Sequence, residues 1–277
     1  MTIKKTLTIA GSDTSGGAGI QADLKTFQEH GTYGMSVLTV IATMDPDNNW
    51  SHGVFSLPVE EIQRQAKTAL STNVDAIKTG MLSTEEIIET AGNVIEQSGV
   101  KSIVIDPVMV CKGEDEVLNP GTVDAMITHL LPRALVVTPN LFEAGQLSGL
   151  GALKTIDDMK AAAEKIYSLG AKNVVIKGGK QLQHEKAVDL FYNGKTHTLL
   201  ETEKTETTYN HGAGCTFAAA ITANLANGLA VSDAVFEAKG FVSAAIAHGW
   251  KLNQYVGPVL HGAKGKYGAP KVTSTIV

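Results

Sequence analysis

Short β-branched runs recur along this chain. Each breaks at glycine or a polar residue, and each leads into a segment of helical length. That alternation constrains the fold more than any other feature of the sequence. The first run, 5–10 (KTLTIA), ends in GSDTSGGAGIQADL, a glycine-rich loop that should enter a helix reaching His30. The run 36–44 (SVLTVIATM) is almost wholly apolar, as a strand buried on both faces would be. Further strands are expected at 75–78, 102–105, 134–138 and 173–176. Helices are expected at 58–71, 84–97, 120–131, from Pro139 onward, and at 157–169, 214–227 and 232–248. Ser83 with Glu86 three residues on predicts a capping box for the second of these. Strand and helix alternating in this way specify a doubly wound, mainly parallel sheet covered on both faces. One antiparallel unit stands apart: 188–192 and 196–200 flank Asn193-Gly194, which predicts a type I′ hairpin. The polar stretch 45–56, with His52 and Phe55, is expected to form a flap, and the tail from Asn253 to be irregular. No linker or repeat divides the chain, so one domain over 1–277 is expected.

Charge and cysteine usage exclude several classes. A net charge of −5 offers no broad attraction to nucleic acid or anionic membrane. The N-terminal apolar run stops at Gly11, too short for a signal segment, and no later run is long enough to span a bilayer. The two cysteines, Cys111 and Cys215, are far apart and form no CxxC motif, so a reduced, cytoplasmic setting is expected.

The chemistry should centre on Asn210-His211-Gly212-Ala213-Gly214-Cys215-Thr216-Phe217. The helix-forming AAAITANLAN follows at once, so the two glycines precede a helix start. Unpaired amides and the helix dipole there make an anion site, and glycine lets a ligand approach the backbone. A thiol at such a place should have its thiolate favoured, so Cys215 is expected to have a lowered pKa. An anion cradle beside an activatable base suits phosphoryl transfer to a hydroxyl; the plainer reading is a tight turn feeding a packed helix. The other polar or glycine positions share one topological place, the carboxyl ends of strands, where open α/β sheets bind ligands. They are the loop 11–19 with Gly11, then Gly80, Asp106, Asn140 with Glu143, and Lys177 before its two glycines. Lys177 can place an ammonium on ATP phosphates, and Asp106 and Glu143 can hold Mg²⁺. For the loop's acids, a substrate hydrogen bond stands against an N-cap role for Asp13 and a surface helix position for Asp23.

LTIAGSDTSGGAGIQADLKTF, DAIKTGML, DPVMV, PNLFEA, IKGG and HGAGCTFAAAI together resemble the hydroxymethylpyrimidine/phosphomethylpyrimidine kinases and their pyridoxal kinase relatives, of the ribokinase superfamily, over essentially the whole chain. The resemblance implies a ribokinase-like three-layer α/β/α sandwich with a small flap or lid. It implies ATP-dependent phosphorylation of a hydroxymethyl group on a nitrogen heterocycle, with Mg²⁺, room for a monovalent cation, and a homodimer. It puts the anion hole on Gly212, Ala213, Gly214 and Cys215, with Cys215 as base. Gly11, Met44, His52, Gly80, Met81 and Val108 would surround the substrate, and Asn140, Lys177, Asp189, Gly214 and Lys239 the nucleotide.

Two departures bear on the substrate. The pyrimidine kinases of this family typically carry glutamine where this chain has Met44, and a thioether cannot read an aminopyrimidine edge. The family usually carries alanine where this chain has Cys111, and a thiol there can add to an aldehyde. Pyridoxal has an aldehyde and hydroxymethylpyrimidine does not, so the expected substrate is pyridoxal, with pyridoxine and pyridoxamine as related vitamers. Hydroxymethylpyrimidine, and more remotely a non-catalytic vitamin-binding protein, are the alternatives.

Overall fold

The computed structural model describes residues 2–109 and 121–277. Among them, ten strands form one sheet: β1 (Lys5–Asp13), β2 (Tyr33–Asp45), β3 (Ser51–Ser56), β4 (Ala76–Thr79), β5 (Ser102–Ile105), β6 (Val136–Val137), β7 (Val174–Lys177), β8 (Ala187–Tyr192), β9 (His197–Thr202) and β10 (Thr273–Ile276). The helices are α1 (Gly19–Glu29), α2 (Val59–Leu70), α3 (Glu85–Ser98), α4 (Gly121–His129), α5 (Leu141–Ser148), α6 (Ile156–Ser168), α7 (Ala213–Ala226), α8 (Val231–Ala247) and α9 (Ala263–Tyr267). The spatial order of the strands is β10-β9-β8-β7-β6-β5-β4-β1-β2-β3. From β2 to β7 every pairing is parallel. Both margins are antiparallel, β3 on one side and β8 to β10 on the other.

The two-residue period of the strands sorts the side chains into two cores. Ile103 and Ile105 face α2 to α6, while Val104 between them faces α7 and α8. Val174 and Ile176 against Val175, and Leu190 against Phe191, divide the same way. A register slip of one residue would exchange the two sets, each buried aliphatic side chain being worth about 1.5–3 kcal/mol in place. The third contact, of α1 with α7, closes around Phe27, Ala219 and Ala223. The result is the three-layer sandwich expected.

Several local expectations change. The cap of α3 is Thr84, whose hydroxyl accepts from the Ile87 amide, rather than Ser83, which shares a hydrogen bond with Ser56. The β8–β9 turn is not type I′, because Gly194 has positive φ and Asn193 does not. Instead the Asn193 carboxamide oxygen accepts from the amides of Lys195 and Thr196 and closes a four-residue loop. The tail is not irregular: it forms α9 and then β10, which pairs with β9 along Thr273–Ile276. The flap is a strand pair, β3 folding back on β2 with Met44 opposite His52 and Ile41 opposite Phe55. Cys111, singled out in the sequence for its thiol, lies outside the described residues.

Candidate active site

The parallel strands aim their carboxyl ends at one edge, and a cavity of about 920 Å³ opens there. Gly212, Ala213, Gly214 and Cys215 line it, at the start of α7. Gly212 is the N-cap, at φ 81°, and no side chain caps the turn; the Ala213 amide donates to the Asn210 carbonyl at 3.2 Å, and no Ser or Asp oxygen takes up the amides of the first turn. A Cβ at 212 would also collide with the Gly17 carbonyl. The glycine thus meets both a left-handed backbone and a close approach of the first loop.

Cys215 lines the cavity with Lys177 and Asp106. Its protonation differs from expectation. Burial pushes the thiol up to about 11, outweighing the pull of the Lys78 ammonium and the Gly19 amide, with Asp23 and Asp106 adding to the rise. The helix terminus alone does not keep the thiolate in an apolar setting.

Charged groups dominate one half of the cavity. Lys177 Nζ lies 3.0 Å from Asp106 Oδ1, which also accepts from the Thr138 hydroxyl at 3.2 Å. Burial works against the Lys177 ammonium, but Asp106 and Glu143 outweigh it and raise its pKa. Lys239 reaches Asp189 at 2.8 Å, and Asp189 also accepts from the Gly178 amide. Asn140 caps α5, and Glu143 completes a capping box by accepting the Asn140 amide at 2.7 Å. Burial pushes the Glu143 carboxyl up to about 7, Lys177 opposing and Asp106 adding to the shift. Among the described residues, no group of three or more His, Cys, Asp or Glu could cage a metal. Two carboxylates lining the same cavity, Asp106 and the buried Glu143, nonetheless fit Mg²⁺, which typically binds through one or two carboxylates plus water and phosphate.

The other half is built on β1, β2, β4 and the flap. Gly11, Met44, His52, Gly80, Met81 and Val108 all line it. Asp13 lines it too, but as a clasp. Its carboxylate accepts the Ser15 and Ala18 amides, each at 2.8 Å, and sits 2.7 Å from His211 Nε2. Burial would raise its pKa, yet these partners lower it to about 2.

One sequence expectation fails here. Asp23 is neither a substrate contact nor a surface residue: it is fully buried, 2.9 Å from Lys78 and 2.6 Å from the Thr8 hydroxyl. Of the two flap residues, His52 lines the cavity, while Phe55 is 60 % exposed. Sequence reasoning gave His211 no role of its own within its motif and overlooked Lys180 and the α8 residues Val242, Ser243 and Ile246, all of which line the cavity. Lys180, next to Gly178-Gly179, had a signal to follow; the α8 face had none.

Comparison with known proteins agrees with this geometry. A family model described as phosphomethylpyrimidine kinase matches residues 13–260. A protein of Staphylococcus aureus named putative pyridoxine kinase is 63 % identical over 263 residues, 95 % of each chain. The pyridoxine kinase of Bacillus subtilis is 57 % identical over 264 residues, 95 % of this chain and 97 % of that one. The solved pyridoxal kinase of Staphylococcus aureus in complex with AMP-PCP and pyridoxal superposes with a TM-score of 0.95 at 58 % identity, covering all of both chains.

Proposed function

The chain belongs to the phosphomethylpyrimidine kinase family, and on that premise we propose that it transfers the γ-phosphoryl group of ATP to the 5′-hydroxymethyl group of pyridoxal, giving pyridoxal 5′-phosphate. The full-length likeness to a pyridoxal kinase that binds pyridoxal and an ATP analogue supports this. The observation that carries the reading is the uncapped start of α7, which lies in one cavity with Lys177 and Asp106 and has Cys215 beside it.

Each residue then has a task. The amides of Gly212, Gly214 and Cys215 receive the charge that develops on the transferred phosphoryl group, while the Ala213 amide holds the turn against the Asn210 carbonyl. Lys177 neutralises the nucleotide phosphates, and Asn140, Asp189 and Lys239 border the nucleotide. The sulfur of Cys215 takes the proton of the 5′-hydroxyl as its oxygen bonds to phosphorus. Asp106 and Glu143 would hold Mg²⁺, which when bound supplies charge neutralisation at the phosphates. Met44, His52, Gly80, Met81 and Val108 enclose the ring, with no amide to select an aminopyrimidine. Cys111 adds its sulfur to the aldehyde carbon, and the proton passes to the aldehyde oxygen, giving a hemithioacetal.

A homodimer belongs to the same proposal, supported by the exposed Ile41–Phe55 pair of the flap, and so does a cytoplasmic setting, supported by the two well-separated cysteines. Light scattering of the purified chain reads the oligomeric state. Competition between pyridoxal and hydroxymethylpyrimidine for Mg-ATP-dependent phosphorylation tests the substrate. Pyridoxal should win by kcat/KM, and a preference for the pyrimidine overturns the assignment. Cys111→Ala should slow pyridoxal more than pyridoxine, and equal effects on both would remove the thiol from the mechanism.

A further inference from the structure

Behind the cavity floor lies a charge that the reaction above leaves unused. Lys78, in the middle of the sheet on β4, is fully buried, as is its partner Asp23 on α1, 2.9 Å away. Sealed ion pairs are costly to maintain and often gain nothing over apolar packing, so one that persists in a core invites a functional explanation. Three features give this pair a direction. First, an ammonium has three donors, and among the described residues one oxygen, Asp23 Oδ2, accepts from it. Second, Asp23 is itself tied back by the Thr8 hydroxyl at 2.6 Å, on the strand paired with β4 at Thr8↔Lys78. Third, the wall above Nζ is Gly80, a cavity-lining glycine; a Cβ there would come within 3.1 Å of Nζ and 2.8 Å of the Ala10 Cβ.

We propose that Lys78 is a positioning residue for Cys215: its ammonium, held by Asp23 under a floor thinned to glycine, stabilises the thiolate that accepts the substrate's proton. The inference rests on Cys215 being the base. The other groups that bear on this sulfur are Asp23 from α1, Asp106 after β5, Lys177 at the end of β7 and the Gly19 amide. From α8, Lys239 is committed to Asp189. After burial itself, Lys78 exerts the largest influence on the thiol, and it is the one that favours the thiolate most.

The test reads the sulfur without turnover. In the full-length chain carrying Cys111→Ala, alkylation of Cys215 by iodoacetamide is followed at its peptide by mass spectrometry as a function of pH. Adding Lys78→Met should lower the rate between about pH 8 and 10 by roughly tenfold, the effect of one pKa unit. In the otherwise native chain, Lys78→Met should shift the pH profile of kcat upward by about the same unit, while KM for pyridoxal and ATP changes little. Should Lys78→Met fail to fold, Lys78→Met with Asp23→Asn removes both buried charges and should give a smaller shift in the same direction, because losing Asp23 offsets part of the loss of Lys78. A folded variant, by circular dichroism, whose alkylation profile matches that of the parent overturns the proposal. If Cys215→Ala keeps its turnover, the base assignment fails instead, and the alkylation result still decides whether Lys78 acts on the sulfur.

Discussion

The two halves of the cavity are built from different chemistry. On the β7–β9 side, Lys177, Lys180 and Lys239 converge with Asp106, Asp189 and Glu143. On the β1–β4 side, aside from the Asp13–His211 clasp, the lining is mostly glycine, methionine and other small or apolar side chains, with Ser12 and one flap histidine. The charged half suits polyphosphate, where recognition is mostly neutralisation, and the softer half suits a flat ring. The start of α7 lies between them and serves both. On the proposed mechanism the reacting group is not the most charged one in the cleft: Cys215 is a thiol pushed to about 11, beside carboxylates and lysines.

Mutations can break that division, and the largest effect should fall at the junction. Cys215→Ala should lower kcat by about 10²–10⁴-fold with little change in either KM, and Cys215→Asp should recover part of the loss. Because the thiol of the free enzyme is raised to about 11, kcat/KM of the native chain should climb with pH through the neutral range. A flat profile would separate Cys215 from proton transfer. On the charged side, Lys177→Ala should cost about 10²–10³-fold in kcat/KM for ATP and leave Kd for pyridoxal, read by fluorescence, nearly unchanged. On the softer side, Met44→Gln should move the preference toward hydroxymethylpyrimidine by about tenfold, measured as the ratio of the two kcat/KM values. A symmetrical effect of Lys177→Ala on both ligands would dissolve the distinction between the halves.

The clasp predicts a smaller effect on stability. The Asp13 carboxyl is depressed from 3.8 to about 2, so its contribution is present above the unfolded value and disappears as pH falls through the folded one. That contribution should be about 2 kcal/mol at neutral pH. Urea unfolding of the native chain and Asp13→Asn should differ by this amount near pH 7 and converge as pH falls from about 4 toward 2.

Much of this was legible in the residues. Gly80, Asp106, Asn140 and Lys177 stand at strand ends because a parallel sheet presents that edge to ligands, and short β-branched runs mark where each strand stops. The turn at 212–215 was legible as a helix start because a glycine pair stands just before an alanine-rich segment. What escaped detection depends on distance. Asp23 and Lys78 are 55 residues apart, and nothing local tells a buried aspartate on a helix from an exposed one. The clasp between Asp13 and His211 spans 198 residues. Ser83 and Thr84 carry equivalent hydroxyls, so only the backbone decides which one caps α3. The thiol's pKa was misjudged because the helix terminus is visible in sequence and the surrounding desolvation is not.

The alanines of α7 have a consequence for how this cleft can evolve. Ala218, Ala219 and Ala220 have no exposed surface, wedged between α1, α8 and the sheet. With so little side chain to repack, a methyl exchanged for isopropyl has no void to enter, and such crowding costs about 1–3 kcal/mol or forces the helix to slide. A slide moves the Gly212–Cys215 amides bodily, since they are the same rod's first turn. Ala220→Val should therefore keep its fold by circular dichroism while losing kcat, a defect written three residues or more from any reacting atom. Drift along this rod is throttled by geometry, whereas the half-exposed flap has room to vary and supply new appetites.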